Sequence, residues 1–168
     1  MITYLKYILI LSFFSILISN IILVPEDYTD IQSAINNSMH NDTIIVNPGL
    51  YLENLIINNH SISLISSDGP NNTIINGDFN GSVIEINSPG NHIEINGFTI
   101  QNGIGELLDS GVRFGGGIIS HNTALTLDSL IIESNEAFAG GGICIYNNSS
   151  SETESILKNS TIQTNTAS

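Results

Sequence analysis

Apolar and polar residues alternate in short runs along the chain from residue 42 onward. The runs hold three to five residues, are rich in Ile, Val, Leu and Thr, and are separated by Asn, Gly, Ser and Asp. Branched aliphatic residues favour strands, and the separating residues favour turns. No helical spacing of apolar residues occurs after residue 41. The pattern therefore predicts an all-β chain of many short strands.

These runs belong to a sequence repeat. Residues 114–119 match residues 139–144 at a spacing of 25, and both segments contain three consecutive glycines. Residues 157–167 match residues 127–137 at a spacing of 30, and residues 95–102 are an earlier copy that starts 32 residues before Leu127. Repeats of this length indicate a solenoid, because one unit cannot bury its own apolar face and must stack on its neighbours.

The strands can be arranged three to a turn in a coil of parallel strands, a β-helix. Turns start at intervals of 29, 25, 32 and 30 residues, with these first-strand markers: Val46, Ile75, Ile100, Ile132 and Ile162. The arrangement predicts about four turns and a partial fifth over residues 42–168. Asn102, Asn135 and Asn165 occupy matching places, which predicts a stacked ladder of amides.

Residues 20–41 predict a cap of one strand and one short helix over the first turn. Thr29 followed by Gln32 is a capping box, a pattern that starts helices. Three apolar residues then lie on one helical face: Ile31, Ala34 and Ile35. Such a helix would cover the core and the free strand edges at the end of a solenoid.

The repeats resemble the right-handed parallel β-helix superfamily that contains pectate lyases and pectin methylesterases, over about residues 24 to 168. The Gly-Gly-Gly-Ile and Asn-x-Ala elements are similar to repeats of bacterial surface β-helices of the polymorphic outer-membrane protein kind. The resemblance implies a right-handed coil. A leucine-rich repeat is the alternative fold, since Leu127-x-x-Leu130-x-Ile132-x-x-Asn135 resembles its consensus.

The N-terminal cap is similar to that of pectin methylesterase-like proteins. Gly49-x-Tyr51-x-Glu53 resembles the first signature of those enzymes. We expect a structural role for these residues, with Tyr51 packed under the cap and Glu53 facing outward. The later signatures of that family carry catalytic aspartates and an arginine beside a tryptophan. They have no match here, and the chain contains no Trp.

Three basic and 16 acidic residues give a formal charge of −13. Nucleic-acid binding needs a basic patch, so it is excluded, and binding to an anionic membrane surface is disfavoured for the same reason. The single cysteine, Cys144, excludes an internal disulfide and is interpreted as a structural thiol. The four histidines lack metal-ligand spacing, so no metal site or cofactor is predicted. The acidic surface could attract divalent cations such as calcium, and the alternative is that it serves only solubility.

Residues 1–19 predict a secretory signal, with Lys6 before an apolar run and Ser19 at a cleavage position. The alternative is that the segment is retained as an anchor. Either interpretation places the rest of the chain outside the cytoplasm, secreted or on the cell surface. Membrane contact would then come only through this segment or through a region after Ser168.

One connection between strands differs from its counterpart. Residues 102 and 115 are 13 positions apart, whereas the equivalent residues 135 and 140 are five apart, so eight residues are inserted. Loops on rigid scaffolds commonly carry binding sites. The insertion holds the substrate-binding candidates Arg113, Glu106 and Asp109. Arg113 could bind the carboxylate of a uronic acid with two hydrogen bonds. The alternative is an ion pair that orders the loop.

The other carboxylates do not predict a catalytic site. Glycosidic cleavage by acid–base attack needs two carboxylates about 5–10 Å apart. The residues expected on neighbouring turns are Asn58 and His121 for Glu85, Ser63 and Thr126 for Glu94, and Gln101 and Gln163 for Glu133. Each of these glutamates is therefore interpreted as solvated, and no catalytic residue is predicted.

These observations predict a secreted or cell-surface β-helix that binds a polysaccharide or a cell-surface glycan, without a catalytic site of its own. A purely structural or adhesive domain fits the same features. The alternative is the N-terminal part of a pectate lyase or pectin esterase-like enzyme whose active site lies after Ser168. The repeat stops partway through a turn, so we expect further turns beyond that residue.

Overall fold

The computed structural model describes residues 19–108, 111–147 and 153–168. Within these ranges the chain forms one helix, α1 (Ile31–Asn37), and a succession of short strands. The strands in chain order are β1 (Ile21–Val24), β2 (Asp42–Val46), β3 (Gly49–Leu52), β4 (Leu55–Asn58), β5 (Ile62–Ser66), β6 (Thr73–Asn76), β7 (Ile84–Asn87), β8 (His92–Asn96), β9 (Thr99–Gln101), β10 (Glu106–Leu107), β11 (Arg113–Phe114), β12 (Ile118–His121), β13 (Ala124–Asp128), β14 (Ile131–Glu133), β15 (Glu136–Ala137), β16 (Ile143–Tyr146), β17 (Ser155–Lys158), β18 (Thr161–Gln163) and β19 (Thr166–Ala167). The prediction of an all-β chain with one short helix is confirmed.

Three parallel sheets contain most of the strands. The first sheet has the order β1-β2-β5-β8-β13-β17, the second β3-β6-β9-β14-β18 and the third β4-β7-β12-β16. Along the chain, β2, β3 and β4 enter the first, second and third sheet in turn, and β5, β6 and β7 repeat that order. Each pass of the chain thus adds one strand to each sheet, as expected of a parallel β-helix. A leucine-rich repeat would place one strand of each repeat in a single sheet, so the structure disfavours it.

The side chains that point between the sheets form one apolar core, because alternate residues of each strand face the same way. Partners in adjacent strands of the first sheet stack on one another, as Ile44, Leu64 and Ile95 do. Each is fully buried, which stabilises the fold by about 1.5–3 kcal/mol per side chain. The matching columns of the second and third sheets contain Ile75, Ile100, Ile132, Leu55, Ile84 and Ile118.

One predicted strand position is wrong. Residues 44–46 were expected to begin the first turn in line with Ile75, but they lie in the first sheet, paired with β5. The partner of Ile75 is instead Tyr51 of β3. Strand β3 could not be recognised from its apolar pattern, because Leu50 and Leu52 point outward and are 59% and 62% exposed. Apolar residues normally mark the inner face of a strand.

The predicted cap strand and helix are present as β1 and α1. β1 pairs with β2, and the predicted apolar face of α1 is buried. The predicted capping box at Thr29 is wrong, because the N-cap is Asp30. Its carboxylate accepts a hydrogen bond from the Ser33 N–H at 2.7 Å. Thr29 donates its hydroxyl hydrogen bond to Asp30 instead.

Two side chains join α1 to the first turn. The Glu53 carboxylate accepts the N–H groups of Ile31 and Gln32 at 3.0 and 2.9 Å, so the expectation that Glu53 faces outward is wrong. The Gln32 amide accepts from the Ile56 N–H and donates to the Ile56 carbonyl. The edge strand β4 thus pairs with a side chain in place of a neighbouring strand, which protects that edge.

Candidate functional site

The inserted connection folds as a small hairpin. β10 and β11 pair antiparallel, with Glu106 opposite Phe114 and Leu107 opposite Arg113. The Leu108 N–H donates to the Val112 carbonyl beside the tip. Asp109, one of the predicted binding residues, lies outside the described residues. An isolated parallel bridge between Phe114 and Ala139 joins the hairpin to the segment before β16.

The register of the sheets corrects the predicted amide ladder. Asn135 donates from its amide to Asn165 Oδ1 at 2.9 Å, so these two residues stack as expected. Asn102 does not join them, because it aligns with Ser134 and Thr164. All three have left-handed backbones, with φ of 60°, 56° and 52°. The residue that aligns with Asn135 is therefore Gly103.

Gly103 ends the ladder for a steric reason. Its N–H donates to Asn135 Oδ1 at 2.8 Å, just as the Asn135 N–H donates to Asn165 Oδ1. A Cβ atom on Gly103 would overlap the carbonyl of Gly116, so no asparagine fits there. The inserted connection thus runs from residue 103 to residue 115. Its counterpart without the insertion, which we call the plain connection, runs from residue 135 to residue 140. The insertion is seven residues, one fewer than predicted.

The hairpin lies over the outer face of the third sheet. Ile119 points outward between the inward residues Ile118 and Ser120, yet it is only 1% exposed. Ile56 occupies an equivalent outward place two strands away and is 45% exposed. Between the hairpin and the sheet is a cavity of about 360 Å³, which we call the hairpin groove. Its lining residues are Leu108, Phe114, Ile119, His121, Cys144 and Tyr146.

Aromatic rings form the walls of the hairpin groove. The His121 and Tyr146 rings are 6.1 Å apart and meet edge to face. On the hairpin side, Phe114 packs edge to face against Phe138 at 6.4 Å. Tyr146 is 55% exposed, so its ring is open to a ligand. Aromatic faces beside an apolar floor are typical of sites for small organic ligands.

Two carboxylates lie next to residues that line the groove, although neither lines it. Glu85 of β7 is the direct neighbour of Ile119, and Glu106 belongs to the hairpin. Burial raises the pKa of the Glu85 carboxyl above its ordinary value, the Glu106 charge raises it further, and His121 opposes the shift. None of the described residues donates a hydrogen bond to Glu85. The interpretation of Glu85 as a solvated residue opposite Asn58 and His121 is therefore wrong, because its partners are Ile56 and Ile119.

Arg113 points away from the hairpin groove, since neighbouring residues of a strand face opposite sides. Its guanidinium Nη1 donates to the Gly105 carbonyl at 2.7 Å. It lines a second cavity of about 440 Å³ with Glu136 and Phe138. Within the described ranges it forms no ion pair with Glu106. The structure therefore separates Arg113 and Glu106, and the predicted binding role of Arg113 stays a prediction.

The remaining glutamates have the predicted neighbours. Glu94 pairs with Ser63 and Thr126, and the Ser63 hydroxyl donates to it at 3.0 Å. Glu133 lies between Gln101 and Gln163. The Gln163 amide donates to Glu133 at 2.7 Å. These side chains interact along the sheet surface, and no second carboxylate stands beside either of them in the pairing.

Cys144 lies on the floor of the groove, where burial raises the pKa of its thiol. A raised pKa leaves little thiolate at neutral pH, which fits the predicted structural role. In the part of the chain that the structure describes, no three His, Cys, Asp or Glu side chains group as a metal site. No helix among the same residues is long and apolar enough to cross a membrane. The predicted signal or anchor in residues 1–18 lies outside them.

Comparison of the sequence with protein-family models, with curated proteins and with solved structures gives no match. The resemblance to β-helix families therefore depends on the repeats and on the three parallel sheets. The groove residues Glu85, His121 and Tyr146 were not predicted as a site. A partial signal existed, because Glu85, His121 and Tyr146 lie at outward positions of three adjacent strands, and the middle strand, β12, follows the inserted connection.

Proposed function

We propose that this chain is a secreted or cell-surface right-handed parallel β-helix that binds a polysaccharide or cell-surface glycan in the hairpin groove. The cyclic order of strands through the three sheets supports a closed coil of about four turns and a partial fifth. A right-handed path is supported by the strong preference of parallel crossovers for that hand.

The lining of the hairpin groove is the observation that carries the glycan proposal. A sugar ring has an apolar C–H face, which packs on aromatic rings such as those of Phe114 and Tyr146. Its hydroxyl groups can donate to carboxylates, and Glu85 has unused acceptor capacity at the edge of the groove. The groove is built on parallel sheets, so little ordering is needed when a ligand binds.

The proposed location rests on the sequence of the first residues. Lys6 precedes an apolar run from residue 7 to residue 18, as in a secretory signal. The large negative charge argues against nucleic acids and anionic membranes as partners. A glycan outside the cytoplasm is compatible with both features.

Glycan binding can be tested with purified protein and a panel of immobilised polysaccharides. Tyr146→Ala and Phe114→Ala should each weaken binding about tenfold, because buried aromatic contacts dominate such interfaces. Phe79→Ala is the matched control, since Phe79 is 62% exposed and does not line the groove. Binding that survives loss of both groove rings would contradict the proposal, as would an absence of binding to every polysaccharide.

A carbohydrate-active enzyme is the second candidate. Glu85 has a raised pKa and a second carboxylate, Glu106, close enough to affect it. A glycosidase needs a similar pair, in which one carboxyl stays protonated and acts as the acid. Release of reducing ends from a bound glycan, lost in Glu85→Gln, would favour this candidate. Binding without turnover would favour the scaffold.

A further inference from the structure

Two carboxylates adjoin the aromatic walls of the hairpin groove, Glu85 beside Ile119 and Glu106 opposite Phe114, and no Lys or Arg is among the described lining residues. The chain has only three basic residues. Arg113 donates to Gly105 on the other side of the hairpin, and Lys158 forms an ion pair with Asp128 at 3.3 Å. Lys6 precedes the described residues. Arg113 and Lys158 therefore do not serve as counter-ions in the groove, and Lys6 has no described position.

Glu85 and Glu106 form an incompletely satisfied pair. Glu85 is half-buried and receives no hydrogen bond from the described residues, and the charge of Glu106 adds repulsion. His121 is the titratable group that opposes this repulsion, and Cys144 and Tyr146 are the other titratable groups in the groove. A bound ammonium group would supply the missing charge and the missing donors.

The aromatic walls suit the same group. A cation is attracted to the face of an aromatic ring within about 6 Å of its centre, and the attraction is stronger where water is excluded. Phe114 lines the groove from the hairpin and Tyr146 lines it from the third sheet. A ligand with an amino group on an otherwise apolar ring would therefore use the rings and the carboxylates together.

We infer that the hairpin groove selects glycans whose sugars carry protonated amino groups over neutral and acidic glycans. This inference rests on the proposed function and specifies its ligand class. Charge complementarity carries it, because Glu85 and Glu106 are the strand partners of the groove residues Ile119 and Phe114 and the whole chain carries a charge of −13. Uronic acids would meet repulsion here, and the one described arginine lies in the neighbouring cavity.

Calorimetric titration with three oligosaccharides of equal length tests the inference. The probes are oligomers of glucosamine, of N-acetylglucosamine and of galacturonic acid, titrated at neutral pH, where carboxylates are charged and a substantial share of the free amines is protonated. We expect the glucosamine oligomer to bind at least tenfold more tightly than the other two. Glu85→Gln and Glu106→Gln should each weaken its binding about fivefold or more, and should weaken binding of the acetylated oligomer by a clearly smaller factor.

Glu94→Gln is the matched control for general attraction of cations to an acidic protein. Glu94 also faces outward on a parallel strand, but it lies in the first sheet and pairs with Ser63. An equal loss of affinity in Glu94→Gln would show that overall charge attracts the amine, and the inference would be wrong. Galacturonate binding that Arg113→Ala removes would overturn it as well.

The outcomes separate this inference from the proposed function. If the acetylated oligomer binds as tightly as the amine and needs Phe114 and Tyr146, glycan binding stands and amine selection is wrong. If none of the three oligomers binds and the polysaccharide panel is also negative, the proposed function itself fails.

Discussion

Two connections in this chain leave the second sheet at equivalent places and arrive at equivalent glycine triplets, yet they form different structures. The plain connection, residues 135–140, reaches its triplet in five positions, and the inserted connection, residues 103–115, takes twelve. The plain connection begins with a buried asparagine that bonds to the turns before and after it. The inserted connection begins with a glycine and sends a hairpin across the third sheet.

The plain connection contributes hydrogen bonds that stabilise the stacked turns, whereas the inserted connection forms one side of the groove in which we propose that a glycan binds. Asn135 is 1% exposed and its side chain makes three polar contacts within the stacked turns. The hairpin instead contributes Leu108 and Phe114 to a groove that faces solvent. Seven extra residues thus add a groove without disturbing the parallel pairing on either side, which continues from β9 to β14 and from β12 to β16. A repeated scaffold tolerates such additions because loop closure costs little per added residue.

Loss of the Asn135 side chain should have the largest effect on stability. Asn135→Ala would leave the buried Ile100 carbonyl and Gly103 N–H without their side-chain partner. Asn165 Oδ1 would keep only the Asn135 backbone N–H. Unsatisfied buried groups cost about 1–3 kcal/mol each when water cannot reach them, and the turn can relax only in part, so we expect a loss of about 3 kcal/mol. Urea unfolding measures the change.

Asn102→Gly is the matched control in the inserted connection. Its amide makes one contact, to Asn76 Oδ1 at 3.2 Å, and glycine accepts the left-handed backbone of this residue. We expect a loss below about 1 kcal/mol. Equal losses of stability in Asn135→Ala and Asn102→Gly would show that the stacked amides do not stabilise the plain connection more than a single turn asparagine stabilises the inserted one.

The repeats predicted the parallel strands well, and they predicted the ladder less well. Period-two alternation is a local property of each strand, so Ile75, Ile100 and Ile132 could be aligned without any structure. The ladder was aligned by matching Asn with Asn, although the repeat spacing of 32 places Gly103 opposite Asn135. Residue identity misleads at such a turn because close backbone approach, rather than side-chain type, determines what fits.

The hairpin groove could not be predicted from the repeats. The insertion has no second copy in the chain, so nothing in the sequence fixes the direction in which it folds. Glu85 and Ile119 are outward residues by alternation, and solvent exposure was the natural expectation for both. They are shielded because the hairpin crosses the third sheet, which is a contact between distant segments. Local patterns do not encode such a contact.

Conversion of the inserted connection into a plain one should abolish binding at a smaller cost in stability. Residues 104–114 would be replaced by the sequence of residues 136–139, Glu-Ala-Phe-Ala. Ile119 would then become about as exposed as Ile56, so roughly half of its burial is lost, or about 1 kcal/mol. Glycan titration and urea unfolding measure the two effects.

The same shortened chain with Ile119→Thr is the control for the exposed isoleucine. It should match the shortened chain in binding and be less prone to aggregation, because an apolar patch is removed. Retention of glycan binding by either shortened chain would place the ligand elsewhere and would remove the distinction between the two connections.

The smallest expected effect concerns Glu85 and pH. Burial and the Glu106 charge raise the pKa of Glu85 in the folded protein above its value in the unfolded chain. Between those two values the folded state holds more protons, so stability falls as pH rises through this window and stays lower above it. Glu85→Gln should therefore raise the melting temperature at neutral pH and leave it nearly unchanged at acidic pH, below both values. Thermal unfolding at the two pH values tests this, with Glu94→Gln as control.

In the shortened chain the gain in melting temperature from Glu85→Gln at neutral pH should shrink, because the hairpin no longer covers the carboxylate and Glu106 is gone. An undiminished gain there would mean that the inserted connection is not what raises the pKa of Glu85.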